Sequence, residues 1–127
     1  MKLGYVILYV PDVAKAVAFY GKAFGLDARM VAEGGAFAEL KTGETALAFA
    51  EEDMVETMTG EFRRNRPDGV PAGAEIGLVV EDVAQAYWKA LDAGAVGVAP
   101  PKEKPWGQVV AYVRDLNGFL VEICTAA

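Results

Sequence analysis

The pentapeptide Asp12-Val13-Ala14-Lys15-Ala16 returns in the second half of the chain as Asp82-Val83-Ala84-Gln85-Ala86. Each copy follows a run of alternating apolar residues, namely Val6, Leu8 and Val10 before the first copy and Ile76, Leu78 and Val80 before the second. Such alternation predicts a strand, and an aspartate directly after it is a typical helix N-cap. We therefore predict two copies of one strand–helix module, with a functional site where the copies face each other.

The residues after each pentapeptide extend the module. Apolar spacing predicts one helix over Val13–Phe24, ending at Gly25, and another over Val83–Ala93. Three further strands are expected after each helix. In the second module the first of these is short and ends at Pro100-Pro101, and the other two form a hairpin that turns at Asn117-Gly118. Each module is therefore a βαβββ unit, which predicts a protein of the α+β class.

The length of the chain and the position of the repeat set the domain boundaries. A chain of 127 residues is expected to form a single domain, residues 1–127. Module one covers residues 1–50 and module two residues 74–127. Residues 51–73 are polar and contain two prolines, which predicts a connector with about one helical turn.

The last strand of module one has two unlike faces. Leu47 and Phe49 share one face, and Ala46, Ala48 and Ala50 share the other. The bulky face suits packing against a helix. The alanine face leaves room for a ligand, as the wall of a cavity does.

The composition excludes several classes of protein. With 54% hydrophobic and 24% charged residues, the chain is expected to be ordered and soluble. A net charge of −6 argues against nucleic acid as a partner, and no apolar run is long enough for a membrane span. The single cysteine, Cys124, excludes an internal disulfide, and no secretion signal is evident at the start. We therefore expect a cytoplasmic protein.

The chain contains no histidine. Histidine is the commonest ligand of catalytic zinc and the usual acid–base group near neutral pH. Its absence excludes serine–histidine and cysteine–histidine nucleophile pairs, and also the metal sites that depend on imidazole ligands.

Four stretches resemble the vicinal-oxygen-chelate superfamily, which includes glyoxalase I, the extradiol dioxygenases and the bleomycin- and fosfomycin-resistance proteins. They are Tyr9-Val10-Pro11-Asp12-Val13, Ala18-Phe19-Tyr20, Phe24-Gly25-Leu26 and Arg114-Asp115-Leu116-Asn117-Gly118-Phe119-Leu120-Val121-Glu122. The resemblance covers nearly the whole chain and is loosest in the connector. It implies two βαβββ modules whose mixed sheets curl around a cleft for metal and substrate, and it implies a homodimer.

The resemblance also implies metal ligands on the first and last strands of each module. By position these are Tyr5 and Ala48 in module one, and Glu75 and Glu122 in module two; a slip of one residue would replace Ala48 by Leu47. Only Glu122 is the residue usual at its position. Two carboxylates without nitrogen partners bind transition metals weakly, so we expect no metal site and no cofactor.

Glu75 and Glu122 are candidates for acid–base catalysis. Two carboxyl groups that face one cleft can share a proton, which raises one pKa and supplies a general acid or base. The alternative places Glu75 in water at a strand end and Glu122 in a hydrogen bond to a neighbouring tyrosine or arginine.

Trp106 is a candidate for contact with a ligand. It lies in Lys104-Pro105-Trp106-Gly107, which resembles the loop of bleomycin-binding relatives where an aromatic side chain stacks on a flat ligand. The alternative is that Trp106 covers the edge of the cleft or forms a dimer contact. Trp88, in the second helix, is expected to serve packing.

Two functional classes remain. The first is a metal-independent binding protein that sequesters an aromatic or amphipathic small molecule. The second is a lyase, isomerase or dioxygenase-type enzyme with an atypical metal site or a Glu75/Glu122 acid–base pair, so the sequence leaves open whether the protein is an enzyme. In either case the predicted ligand-binding residues are Tyr5, Ala46, Ala48, Glu75, Trp106 and Glu122.

Overall fold

A computed structural model describes residues 1–127 and divides the chain into two compact units, residues 1–64 and 65–127. The elements of the first unit are β1 (Tyr5–Val10), α1 (Val13–Phe24), β2 (Ala28–Val31), β3 (Phe37–Leu40), β4 (Ala46–Glu51) and α2 (Glu52–Thr59). Its four strands form one sheet in the order β1-β4-β3-β2. The sheet is mixed, because β1 pairs with β4 in parallel and the other two pairs are antiparallel.

The second unit repeats this arrangement. Its elements are β5 (Glu75–Val79), α3 (Val83–Asp92), β6 (Val96–Glu103), β7 (Val109–Arg114) and β8 (Leu120–Cys124). They form a second mixed sheet in the order β5-β8-β7-β6, with β5 and β8 parallel. The chain is therefore α+β with two βαβββ modules, which confirms the predicted fold class. None of its helices is long and apolar enough to cross a bilayer.

The aspartates of the repeated pentapeptide begin both helices. The carboxylate of Asp12 accepts a hydrogen bond from the backbone N–H of Lys15 at 3.0 Å, and that of Asp82 accepts one from Gln85 at 3.0 Å. Each satisfies a backbone donor that has no partner within the helix, a contribution of about 1 kcal/mol to stability. The repeated sequence therefore produces the same local structure in both units.

Helical spacing predicts that an apolar stripe of α1, formed by Val13, Val17, Tyr20 and Phe24, packs on the sheet. Val13 and Tyr20 are buried as expected, but Val17 and Phe24 are only half-buried. The other buried positions are Ala16, Phe19 and Ala23. A helix has 3.6 residues per turn, so positions 13, 16, 20 and 23 follow the line that faces the sheet and positions 17 and 24 flank it.

Strand β6 is longer than predicted, because it continues through Pro100-Pro101 to Glu103. Proline cannot donate a backbone hydrogen bond, and this normally ends a strand. Here β6 is the edge strand and pairs only with β7, with register shifts between Gly97 and Lys102. An edge strand with bulges tolerates prolines whose missing N–H would face away from the partner.

Trp88 does not serve packing as predicted, since 60% of it is exposed. Its neighbour Tyr87 takes the buried position on α3, and the two rings meet edge to face with centroids 5.3 Å apart. Tyr87 lies over Gly97 of β6, where an added side-chain carbon would stand only 2.5 Å from the tyrosine hydroxyl. The missing side chain of Gly97 therefore lets α3 approach the sheet.

The chain after α2 folds back onto that helix. Arg64 donates to three carboxylates, those of Glu52 (3.1 Å), Asp53 (3.2 Å) and Glu56 (2.7 Å). Its guanidinium also lies over the ring of Phe62, 5.4 Å from the centroid. These contacts hold residues 60–64 against α2.

Candidate functional site

Strand register aligns the two units residue by residue. In the first unit Ile7 pairs with Ala48, and in the second unit Gly77 pairs with Glu122. Ile7 and Gly77 are equivalent positions of the repeat, so Ala48 is the equivalent of Glu122. Leu47 pairs with Val6 instead, so Ala48 and not Leu47 occupies the implied ligand position.

The predicted site residues of the first unit lie on one face of its sheet. Tyr5 pairs with Ala46 at the start of β1, and Ala48 follows Ala46 on the same face of β4. Tyr5 is 53% exposed, whereas both alanines have 0% exposure. The alanines therefore present no surface to solvent in this structure.

The predicted site residues of the second unit form a carboxyl pair. Glu75 is hydrogen-bonded to Glu122, although its direct partner across the strands is Leu120. Gly77 lies between them on β5, opposite Glu122, and a carbon added there would lie 3.9 Å from Glu122 Oε2, an ordinary contact distance. A hydrogen bond between two carboxyl groups requires a proton, so one of the two is the donor.

The surroundings of Glu75 favour its protonated form. The pKa of Glu75 is raised above its ordinary value, first by its hydrogen bond to Glu122, then by desolvation and by repulsion from the Glu122 charge. Glu75 is itself exposed to solvent and Glu122 is half-buried. The site is thus a carboxyl pair on an accessible sheet face that keeps a shared proton to higher pH than an ordinary glutamate does.

Tyr112 and Cys124 complete the surroundings of the pair. Tyr112 on β7 lies directly opposite Glu122, and Cys124 follows Glu122 on the same face of β8. Desolvation and the negative charge of Glu122 raise the pKa of both side chains. The Cys124 thiol is buried and keeps its proton at neutral pH, which makes it a poor nucleophile.

Trp106 stands at the tip of the β6–β7 hairpin. A backbone hydrogen bond from Gly107 N–H to Lys104 C=O closes the turn, and Gly107 has φ 94°, which favours glycine. The indole is 68% exposed, and its N–H donates to Gln108 Oε1 at 2.8 Å. Residues 102–107 line an open concavity of about 720 Å³.

Neighbouring side chains connect the hairpin tip to the carboxyl pair. Trp106 donates to Gln108, and Glu122 bonds Glu75. Between them lies Cys124, whose pKa responds to both Gln108 and Glu122 and whose thiol donates to the Leu78 carbonyl at 3.9 Å. A further bond of 2.9 Å from Gln108 Nε2 to the Thr125 carbonyl fixes the amide. We call these five side chains, Trp106, Gln108, Cys124, Glu122 and Glu75, the polar row. The structure therefore links three of the predicted site residues within the second unit.

Sequence reasoning missed a charged pair in the first unit. Glu39 on β3 lies opposite Ala48 and is only 7% exposed, and it accepts a hydrogen bond from Arg29 Nη2 at 2.6 Å. The alternation of β3 shows which face Glu39 occupies. Nothing in the local sequence indicates that Arg29 reaches it.

The comparison with known families decides the classification. The model of the glyoxalase/bleomycin resistance protein/dioxygenase superfamily matches residues 2–123. The chain belongs to this superfamily. No curated protein sequence matches the chain.

Several solved structures share the fold at low sequence identity. The chain is similar to a glyoxalase-related enzyme from Fulvimarina pelagi, with a TM-score of 0.84 and 20% identity over 99% of this chain and 88% of that one. It is also similar to a family enzyme from Burkholderia phytofirmans PsJN, with a TM-score of 0.82 and 22% identity over 100% of both chains. TioX from Micromonospora sp. ML1 has a TM-score of 0.72 and 27% identity, again over 100% of both chains.

The residues at the four implied ligand positions do not suit the metal that the resemblance implies. No group of three or more Cys, Asp or Glu side chains is arranged to hold an ion. Of the four implied positions, Ala48 has no donor atom and Tyr5 has only a phenol. Glu75 and Glu122 are bonded to each other through a proton, which a metal would have to displace.

Proposed function

We propose that this superfamily member is a metal-independent binding protein of the cytoplasm that sequesters a small, planar, cationic aromatic molecule at the polar row. The observation that supports the proposal most is the exposed carboxyl pair of Glu75 and Glu122. Carboxylates attract cations, and a cation would replace the shared proton as the group that offsets their repulsion. No metal is needed for this interaction.

Trp106 supplies the aromatic part of the proposed site. Its indole is exposed, so it is free to stack on a flat ring, and its hydrogen bond to Gln108 limits the orientations of the ring. A side chain that is already oriented loses less entropy on binding. Aromatic faces also attract cations directly, so Trp106 and the carboxyl pair favour the same ligand chemistry.

The test is a fluorescence titration with 10-methylacridinium, a permanent planar cation, at pH 8. A Trp88→Phe background leaves Trp106 as the only tryptophan, since the chain contains two. We expect saturable quenching of Trp106, and we expect Trp106→Ala, followed by calorimetry, to weaken binding by about 1–3 kcal/mol. Folding should be unaffected, because the side chain makes few packing contacts at 68% exposure.

Acridine, which is neutral at pH 8, is the matched control for charge. Equal binding of acridine and 10-methylacridinium would show that the carboxyl pair plays no part. Unfolding of the Trp106→Ala variant would show that the residue is structural. Either result contradicts the proposal.

Acid–base catalysis is the second candidate, and the raised pKa of Glu75 favours it. A carboxyl group whose pKa is raised keeps its proton to higher pH than usual and can act as a general acid, with Glu122 as its partner. A turnover of any substrate that Glu122→Gln abolishes, without loss of folding, would favour the enzyme over the binding protein.

We also propose that the protein is a homodimer. One edge strand of each sheet carries exposed apolar side chains. Examples are Ile7 on β1 (42% exposed) and Val79 on β5 (66%). Edge strands of this kind are usually covered by another surface. Light scattering at micromolar concentration should give twice the chain mass of 13.5 kDa, and a constant mass of one chain would contradict the proposal.

A further inference from the structure

The edge strand β2 contains a bulge that redirects Arg29. Ala28 pairs with Leu40 and Met30 pairs with Glu39, so Arg29 is the extra residue between two successive pairs. A bulge places two residues opposite one and re-aims a side chain. Arg29 is thereby directed to Glu39, on the face that also carries Ala48.

Burying the Glu39 carboxylate costs desolvation free energy. The residue is only 7% exposed, and its partner on the neighbouring strand β4 is the apolar Ala48. Desolvated ion pairs add little net stability compared with apolar residues of similar size. Stability alone therefore does not explain the bulge, the carboxylate and the arginine together, and the pair is better explained as a device that orients Arg29.

Arg29 retains donors for another partner. A guanidinium has five N–H donors in a planar fork, and Glu39 engages Nη2. The arginine side chain is 43% exposed. Two apolar side chains share its face, those of Met30 (41% exposed) and the half-buried Phe37.

We propose that Arg29, held by Glu39, binds the carboxylate of a small arylalkyl acid. Arginine binds carboxylates in a bidentate geometry with its fork, and Met30 and Phe37 offer an apolar surface for the aromatic part of the same molecule. This site lies within the first unit and uses none of the side chains of the polar row. It goes beyond the proposed function and does not depend on it.

The test is a titration of the labelled protein with sodium phenylacetate at constant ionic strength, followed by NMR signals of the Arg29 Nε–H and the Met30 amide. We expect saturable shifts of both signals. Phenylacetamide has the same ring without the charge, and we expect it to bind about tenfold more weakly.

Two variants separate recognition by Arg29 from a structural role. Arg29→Gln should weaken phenylacetate binding about tenfold, followed at Met30, because the charged donors are lost. Glu39→Gln should strengthen it about threefold, because the glutamine oxygen can still accept the orienting hydrogen bond from Arg29 while the competing negative charge is lost. If Arg29→Gln fails to fold around an unpaired Glu39, the double variant Arg29→Gln/Glu39→Gln removes both charges and should also bind about tenfold more weakly.

Three results would overturn the proposal. They are equal binding of phenylacetamide and phenylacetate, unchanged binding after loss of the Arg29 charge, and weaker binding in Glu39→Gln. None of them affects 10-methylacridinium binding at the polar row, so the two proposals fail separately.

Discussion

Gly118→Ala should reduce the free energy of unfolding by about 3 kcal/mol, measured by urea denaturation. Gly118 has φ 87°, and a non-glycine residue in this left-handed region costs about 1–2 kcal/mol. An added side-chain carbon would also stand 2.6 Å from Arg114 Nη2 and overlap the carbonyl of Arg66. Such overpacking typically costs another 1–3 kcal/mol.

The surroundings of Gly118 cannot move away easily. Arg114 donates to the carbonyls of Gly118 at 2.8 Å and Gly69 at 2.7 Å, so it ties the β7–β8 turn to the chain before β5. Asp115 is 4% exposed and accepts backbone hydrogen bonds from Asn117 and Phe119. Asp115 therefore organises its own turn, and these bonds leave the turn little freedom to adapt.

Gly107→Ala is the matched control. Gly107 has a similar φ of 94°, but an added carbon there would meet nothing within 4 Å. It should therefore show only the backbone cost of about 1–2 kcal/mol. Equal losses in the two variants would show that the close packing around Gly118 contributes nothing.

Local signals made much of the fold predictable. The two N-caps and the glycine after α1 act within one helical turn, so the sequence located α1 at its observed bounds, Val13–Phe24. The length of β6 was not predictable in the same way. Whether Pro100-Pro101 ends a strand depends on whether a partner lies on its other side, and this is decided by the sheet order.

The candidate site was predictable only where the resemblance to the superfamily carries the information. That resemblance pointed to Glu75 and Glu122, but the hydrogen bond between them depends on the register between β5 and β8. Arg29 was missed because a bulge, not a sequence motif, directs it to Glu39. Contacts that depend on register between distant strands leave no short-range signal.

The affinity for 10-methylacridinium should rise about three- to tenfold as the pH increases through the raised pKa of Glu75. Below that pKa the pair holds one proton, and a bound cation meets a single negative charge. Above it both carboxylates are charged and attract the cation more strongly. The effect corresponds to about 0.7–1.4 kcal/mol, as expected for a pair that solvent screens.

Protein stability should change in the opposite direction over the same pH range. A carboxyl group whose pKa is raised on folding binds more protons in the folded state than in the unfolded state. Glu75 therefore lowers the free energy of unfolding as the pH rises from the ordinary glutamate value, about 4.3, through the raised pKa. Cation binding should offset this loss, because it favours the charged pair.

Glu75→Gln should remove the pH dependence that Glu75 gives to the cation affinity and to the stability of the protein. The variant keeps a hydrogen-bonding side chain next to Glu122 but has no proton to lose, so its affinity for 10-methylacridinium should stay at the low-pH level of the wild type. Calorimetry in two buffers of different ionisation enthalpy should detect proton release on binding to the wild type near the raised pKa, and none for the variant. Glu81→Gln, an exposed carboxylate of the same unit outside the polar row, should behave as the wild type. If the two variants give the same pH profile, the pair of Glu75 and Glu122 does not hold the cation, and the exposed indole of Trp106 must account for any binding that remains.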